Sequence, residues 1–290
     1  MTNREAFIKC KTQIKDANKR ISDSEIYRIL MKASNYNSYT ECIKNFDEEI
    51  VNLSLFQRGF TRVFEGEPLQ YVLEEAPFID LDLNINRSVL IPRPETEGLV
   101  LLVQKLISDN NIKHDVIGDV CTGSGCIALY MKYKYKDSKV YASDKYQDAI
   151  EVATSNARKH NFEINFLTGD KLEPFIHDNI KLDVMISNPP YVEKMADIED
   201  NVKNYEPMYA IYCKKGVEFY EDYFKNYKKI MNKQFLMAFE INYDQEELLK
   251  PLIGQYFKDE DTSFIFLKDI YGKTRYLFIL GGYDVKYFQR

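Results

Sequence analysis

Apolar residues recur at helical spacing early in the chain, as in Ile26, Ile29, Leu30 and Ala33, and again in Ile43, Phe46, Ile50 and Leu53. Ser22 with Glu25, and Ser38 with Glu41, each read Ser-x-x-Glu, the reciprocal pair that satisfies orphan amides at a helix start. This pattern predicts a small helical bundle ending near Phe64. Beyond Phe78 the period changes to two. Ile79, Leu81, Leu83 and Ile85 alternate with Asp80, Asp82, Asn84 and Asn86, as in a half-buried strand, and the segment reads as a hairpin-like bridge. Next comes Pro92-Arg-Pro-Glu-Thr-Glu97, whose prolines suit a first helical turn and whose glutamates suit the positive end of a helix dipole. A plain helix start explains most of that stretch.

From residue 115 onward, short apolar runs alternate with longer amphipathic ones. The short runs are 115–121, 139–144, 164–168, 182–187, 235–241, 263–268 and 275–280. Short runs separated by helical patterns predict βαβ units, an α/β domain with a mostly parallel sheet covered on both faces. The last two runs are too close for a crossover helix and are predicted to pair antiparallel through a turn carrying Gly272.

Composition narrows the function classes. At 290 residues and 45% hydrophobic, the chain has enough material for one large domain or two unequal ones. A formal charge of −6 argues against a phosphate backbone as the main ligand, since that binding needs clustered Lys and Arg. The basic surplus among residues 2–32 reads as a solvated helix face in preference to a nucleic-acid contact. Five scattered cysteines fit a reducing compartment, with no disulfide framework. His114, His160 and His177 sit in polar context, which supports neither a metal site nor a histidine triad. No apolar signal core opens the chain and no run reaches membrane-spanning length, so the cytoplasm is the expected compartment.

Asp119-Val-Cys-Thr-Gly-Ser-Gly125 follows the first strand of this α/β region and precedes a helical stretch, the place where such sheets bind nucleotides on backbone amides. A tight turn with no ligand would look much the same. Two further carboxylates sharpen the reading. Asp144 ends the next strand about twenty residues on, where a carboxylate accepts ribose hydroxyls, and Asp170, beside Lys171, follows the third strand, where an adenine amino group is recognised. Each alone reads equally well as a helix cap. Together, three loops at successive strand ends favour an adenosine ligand. Gly125 is followed by Cys126-Ile127, not the Lys-Ser/Thr of a phosphate loop, and no third glycine stands near Leu129. S-adenosylmethionine, a zwitterion joined to a nucleoside, fits better than a polyphosphate.

The run 182–187 ends in Asn188-Pro-Pro-Tyr191. Asn188 is driven into extended geometry by the proline after it, and Pro189 and Pro190 have fixed φ and no N–H. The stiff main chain therefore offers carbonyl acceptors, and Asn188 adds a side-chain carbonyl. Two fixed acceptors hold both hydrogens of an NH₂ group, while Tyr191 offers a face for a planar amide or base. Such a site suits methyl transfer to a conjugated, poorly nucleophilic nitrogen, where alignment alone supplies on the order of 7 kcal/mol in ideal cases.

With these motifs the chain resembles the class I S-adenosylmethionine-dependent methyltransferases of the HemK/PrmC type, the glutamine methyltransferases of peptide chain release factors. Gly66-Glu-Pro-Leu-Gln-Tyr71, Val89-Leu-Ile-Pro-Arg-Pro-Glu-Thr-Glu97, the 119–125 loop, Asn188-Pro-Pro-Tyr191, Tyr205-Glu-Pro207, Phe239-Glu-Ile241 with Gln245, and Asp269 with Gly272 and Arg275 follow the family's order. The resemblance implies a Rossmann-like seven-stranded catalytic domain over 93–290, a β-hairpin linker over 75–92 and a helical substrate-docking domain over 1–74. It implies S-adenosylmethionine as cofactor, S-adenosylhomocysteine as product, and as substrate the glutamine of the Gly-Gly-Gln loop of class 1 release factors. By position, Cys121, Thr122, Gly123, Ser124 and Gly125 would contact the cofactor, Asp144 its ribose, and Asp170 or Lys171 its adenine. Asn188 would touch both cofactor and substrate, with Pro189, Pro190, Tyr191, Glu95 and Thr96 on the substrate side. No metal, nucleic acid or membrane partner is expected, and a monomer is.

Three positions depart from the family pattern. Cys121 stands where glycine is usual, so that position is expected to need no positive φ and its side chain to crowd the cofactor slightly. Asn242 replaces a glycine as the next most tolerant residue for a left-handed turn. Lys171 replaces an aromatic, which removes the expected adenine stack. Two other functions use parts of this pattern: an amino-methyltransferase acting on a flipped DNA or RNA base, and a catalytically silent cofactor-binding protein. The acidic balance opposes the first, the intact Asn188-Pro-Pro-Tyr191 the second.

Overall fold

Thr2, Ser22, Ser38 and Asn52 each place a side-chain oxygen over a free amide at a helix start. They cap α1 (Asn3–Asp16), α2 (Asp23–Ser34), α3 (Tyr39–Lys44) and α4 (Leu53–Phe64), which a short α5 (Leu69–Leu73) follows. The capping box is complete at Thr2 and Ser22. At Ser38 it is half made, because Glu41 instead accepts from the Asn37 amide at 2.8 Å. The helical spacing expected through 43–53 is broken for a related reason: the Asn45 side chain takes the Glu41 carbonyl at 2.9 Å, and Glu49 turns back to bridge Thr2. Ile43 is accordingly 41% exposed. Ala6, Cys10, Ile26, Leu30, Phe60 and Leu73 fill the core between these helices.

This computed structural model describes residues 1–258 and 261–283, so residues 259–260 and 284–290 of the expected catalytic span lie outside the described residues. The chain divides into two units, Met1–Glu75 and Ala76–Arg290. At that point the chain forms a two-stranded ribbon of β1 (Glu75–Phe78) and β2 (Leu81–Asn84). The alternation read as one run from 78 to 86 is instead cut by a turn: Ile79 adopts φ 53° and its amide donates to Glu97 Oε1 at 2.9 Å.

The larger unit continues with α6 (Pro94–Asn110), β3 (Val116–Val120), α7 (Cys126–Lys134), β4 (Lys139–Asp144), α8 (Gln147–Lys159) and β5 (Asn165–Thr168). Then come α9 (Glu173–His177), β6 (Leu182–Ser187), α10 (Asp200–Tyr205), α11 (Glu218–Ile230), β7 (Met231–Glu240), α12 (Glu246–Tyr256), β8 (Thr262–Lys268) and β9 (Thr274–Gly281). The sheet order is β5-β4-β3-β6-β7-β9-β8. The first five strands run parallel and β9 pairs antiparallel to both neighbours, as the spacing of the last two runs predicts. Every residue of β6 is buried, which a sheet covered on both faces requires. On one face the aromatic stripe of α11, Tyr220, Tyr223, Phe224 and Tyr227, packs on Phe239 and Phe257, each such side chain contributing roughly 1.5–3 kcal/mol of burial.

The topology fixes where a ligand goes. From β3 the chain steps outward through β4 to β5, then returns on the other side of β3 as β6. The carboxyl ends of β3 and β6 therefore feed loops that part, and the crevice between them is the ligand position of an open α/β sheet. No helix of the described residues is long and apolar enough to cross a membrane.

Candidate active site

The loop after β3 is held by its own carboxylate. Asp119 Oδ2 accepts from the Thr122 hydroxyl and from the Ala128 amide at 3.1 Å, while Thr122 N donates to Ser143 O at 2.9 Å. Gly123 and Gly125 take φ 53° and 84°. At Gly125 a Cβ would lie 2.6 Å from Leu129 Cδ1 and 3.1 Å from Ala153 Cβ, so the start of α7 closes on the loop only if that residue is glycine. Asp119 is fully buried, and burial raises its carboxyl to about 7.

The loop so held borders a cavity of about 310 Å³ at the carboxyl ends of the strands. Cys121, Thr122, Gly123, Ser124, Asp144, Asp170 and Lys171 all line it. Asp144 accepts from Gly123 N at 2.9 Å and Tyr146 N at 3.0 Å, which joins the second carboxylate to the first loop. Burial raises its carboxyl above the ordinary value. Asp170 lies 3.6 Å from the Lys145 ammonium.

Across the crevice, Asn188 and Pro190 line the same cavity, whereas Pro189, Tyr191, Gly125 and Glu95 do not. Asn188 Nδ2 donates to Thr96 Oγ1 at 3.0 Å, and the Thr96 hydroxyl donates to Glu240 Oε2 at 2.7 Å. Tyr191 is used differently from the sequence expectation of an open ring face: it packs against the core and its hydroxyl donates to Glu240 Oε1 at 2.9 Å. The Tyr191 carbonyl is spent on Gln245 Nε2 at 3.2 Å. Among the described residues, no donor of the chain reaches Asn188 Oδ1 or the carbonyls of Pro189 and Pro190. The site thus joins a backbone-amide loop with two carboxylates to a rigid acceptor segment.

The family profile of the methyltransferase small domain matches residues 96–205. A release factor glutamine methyltransferase of Staphylococcus aureus is 38% identical over 224 residues, 76% of this chain and 78% of that protein. One of Bacillus anthracis is 34% identical over 248 residues, 82% of this chain and 86% of that protein. The chain belongs to the release factor glutamine methyltransferase family. It is a methyltransferase, and its fold is shared more widely. The hMettl16 catalytic domain, solved with the MAT2A 3′UTR hairpin 1, matches with a TM-score of 0.55 at 18% identity, over 74% of this chain and 79% of that one.

Two of the departures from the family pattern behave otherwise than the sequence predicts. Cys121 does take positive φ, 64°, because the chain must turn at once after Val120 for Thr122 N to reach Ser143 O. The left-handed geometry of a residue with a Cβ costs roughly 1–2 kcal/mol. Its Sγ lies 3.4 Å from the Tyr223 hydroxyl. Asn242 is not left-handed. Its amide donates to Gln245 Oε1 and its Oδ1 accepts from Tyr243 N, both at 2.9 Å, which closes the turn in ordinary geometry.

At Lys171 the ammonium sits 5.2 Å from the Phe219 ring centre, and both residues line the cavity. An aromatic face is therefore supplied from α11. Tyr146 and Tyr209, with ring centres 3.8 Å apart, add a further wall that sequence reasoning missed. Tyr209 had an indirect signal, since it follows the quoted Tyr205-Glu-Pro207. Cys121, Cys126 and Cys213 also line the cavity, and burial pushes each thiol up to about 12. At neutral pH they stay protonated, so no thiolate competes for an electrophilic methyl group.

Proposed function

We propose that this methyltransferase moves the methyl group of S-adenosylmethionine onto the side-chain amide nitrogen of the glutamine in the Gly-Gly-Gln loop of class 1 peptide chain release factors. S-adenosylhomocysteine is the other product, and one of the two amide protons is released as the N–C bond forms and the S–C bond breaks. The observation that carries the reading is the orientation of Asn188, whose Nδ2 is committed to Thr96 while, among the described residues, no donor reaches its Oδ1. An acceptor in that place suits a group that brings two N–H donors, as a carboxamide does.

The residues fit the cofactor. Residues 121–124 and Asp144 would hold its amino-acid and ribose parts, and Asp170, Lys171 and Phe219 its adenine. When bound, it supplies an electrophilic methyl group on a sulfonium. Asn188 Oδ1 and a proline carbonyl hold the two amide hydrogens, which orients the nitrogen and draws electron density toward it. In the same reading residues 1–74 dock the release factor, 75–92 link, and 93–290 catalyse. The enzyme works as a monomer in a reducing cytoplasm, in keeping with its five free thiols.

The test is labelled S-adenosylmethionine incubated with the enzyme and, in parallel, a class 1 release factor, the same factor with its loop glutamine replaced by alanine, and duplex DNA. Label is expected only in the unchanged factor. Label in the DNA, or in none of the three, overturns the proposal.

A further inference from the structure

One carboxylate stands behind both ends of the acceptor segment. Glu240, at the end of β7, is 1% exposed. Its Oε2 accepts from Thr96 and its Oε1 from Tyr191, at 2.7 and 2.9 Å, and Thr96 in turn accepts from Asn188 Nδ2 at 3.0 Å. The direction of these bonds follows from proton counting. An ionised carboxylate only accepts, and a threonine hydroxyl has one proton to give. With that proton spent on Glu240, Thr96 Oγ1 offers only lone pairs to Asn188. The amide must then present NH₂ to Thr96 and turn its carbonyl oxygen the other way. A flipped amide would set two donors against each other at the acceptor nitrogen.

We propose that Glu240 is a positioning residue that sets the flip state of the Asn188 amide through Thr96 and pins the other end of the tetrapeptide through Tyr191. The assignment rests on the reading that Asn188 receives the substrate amide. It also recasts Thr96 as a relay between Glu240 and Asn188.

The surroundings of Glu240 make the relay sensitive to pH. Burial raises its carboxyl above the ordinary value, with Glu95 of α6 adding to the effect, while the Thr96 and Tyr191 hydroxyls and the Arg275 guanidinium of β9 oppose it. Tyr220 of α11 donates to the Glu240 carbonyl at 2.7 Å, Tyr276 of β9 to the Glu95 carbonyl at 3.0 Å, and the Cys126 thiol of α7 feels the Glu240 charge. A protonated Glu240 donates to Thr96 and frees the Thr96 proton for Asn188, which favours the flipped amide. Acid therefore turns the acceptor away from the substrate amide.

The test compares Thr96→Val, which keeps shape and removes the hydroxyl, with Thr96→Ser, which restores it. Melting temperature and cofactor affinity by calorimetry are measured beside kcat and KM for the release factor. Thr96→Val is expected to lower kcat about tenfold to a hundredfold, with cofactor affinity and KM within about threefold. Thr96→Ser should return kcat to within about threefold of the wild type, together with the acid limb of its pH profile. In an Asn188→Ala background Thr96→Val should have no further effect, because both act on one group. Unchanged kcat in Thr96→Val, or equal damage in Thr96→Ser, overturns the relay. Those results would leave the proposed reaction intact if Asn188→Ala alone abolishes transfer. Unchanged transfer in Asn188→Ala would remove the reading beneath it.

Discussion

The two halves of the cavity are built by different means. In the loop after β3, Thr122 reaches back three residues and Ala128 nine to the same Asp119 carboxylate, and the geometry rests on positive φ at Gly123 and Gly125. In the acceptor half, Asn188 depends on Thr96, 92 residues away, and Thr96 on Glu240, 144 residues away. The first half is written into local backbone conformation. The second is a network of single side-chain hydroxyls and carboxylates carried in from α6 and β7. Backbone substitutions should therefore damage the cofactor half together with stability, whereas deletion of one polar group should damage the acceptor half and spare the rest.

The largest expected effect is at Asn188. Asn188→Ala should reduce methyl transfer a hundredfold or more, on the order of a lost alignment, with cofactor affinity within about threefold by calorimetry. A collapse of cofactor binding would erase the distinction between the halves. Next is Gly125→Val, whose Cβ would meet Leu129 Cδ1 at 2.6 Å with φ at 84°. Strain and overpacking of roughly 1–3 kcal/mol should lower the melting temperature, and cofactor affinity should fall about tenfold or more. A variant that melts and binds like the wild type would show that the loop is not conformationally coded.

A smaller effect is the pH dependence that the cofactor half lends to stability. The folded Asp119 carboxyl, at about 7, lies above its unfolded value of 3.8. Its contribution to stability is thus complete below the lower value and lost as pH rises through the upper one. Asp119→Asn removes that dependence. The wild-type melting temperature, taken relative to the variant, should fall across this window, and a flat difference would contradict the assignment. The smallest effect is at Lys171, whose ammonium lies over Phe219. Lys171→Ala should weaken the cofactor only about threefold, a cation–π contact of roughly 0.5–1 kcal/mol. Phe219→Ala should weaken it more.

What the sequence made legible follows the same division. The runs 139–144 and 182–187 match β4 and β6 at both ends because the apolar residues at the centre of these parallel strands, Val140 and Ala142, Val184, Met185 and Ile186, are fully buried. The start of β7 was missed: Asn232, Lys233 and Gln234 are polar and not buried, so no apolar run announced it. Asp144 and Asp170 were legible because one ends a strand and the other follows one, and both line the cavity. Asn188 was legible from the prolines that stiffen it. Thr96 and Glu240 could be noticed only as parts of separate motifs, since nothing in the order of residues states that α6 lays one over the other. Phe219 and Tyr146 were hidden for the same reason, being ordinary aromatics until the fold turns them toward one cavity. At Cys121 the error had another cause, because a residue type was taken to report its own φ where a neighbouring hydrogen bond imposed it.

The most direct measurement is a crystal structure of the enzyme with S-adenosylhomocysteine and a release factor bearing its loop glutamine. The account predicts the glutamine amide nitrogen within hydrogen-bond distance of Asn188 Oδ1 and of a proline carbonyl of the same segment, on the cofactor side of the cavity. A glutamine bound elsewhere, or an Asn188 amide whose nitrogen faces it, would contradict the account.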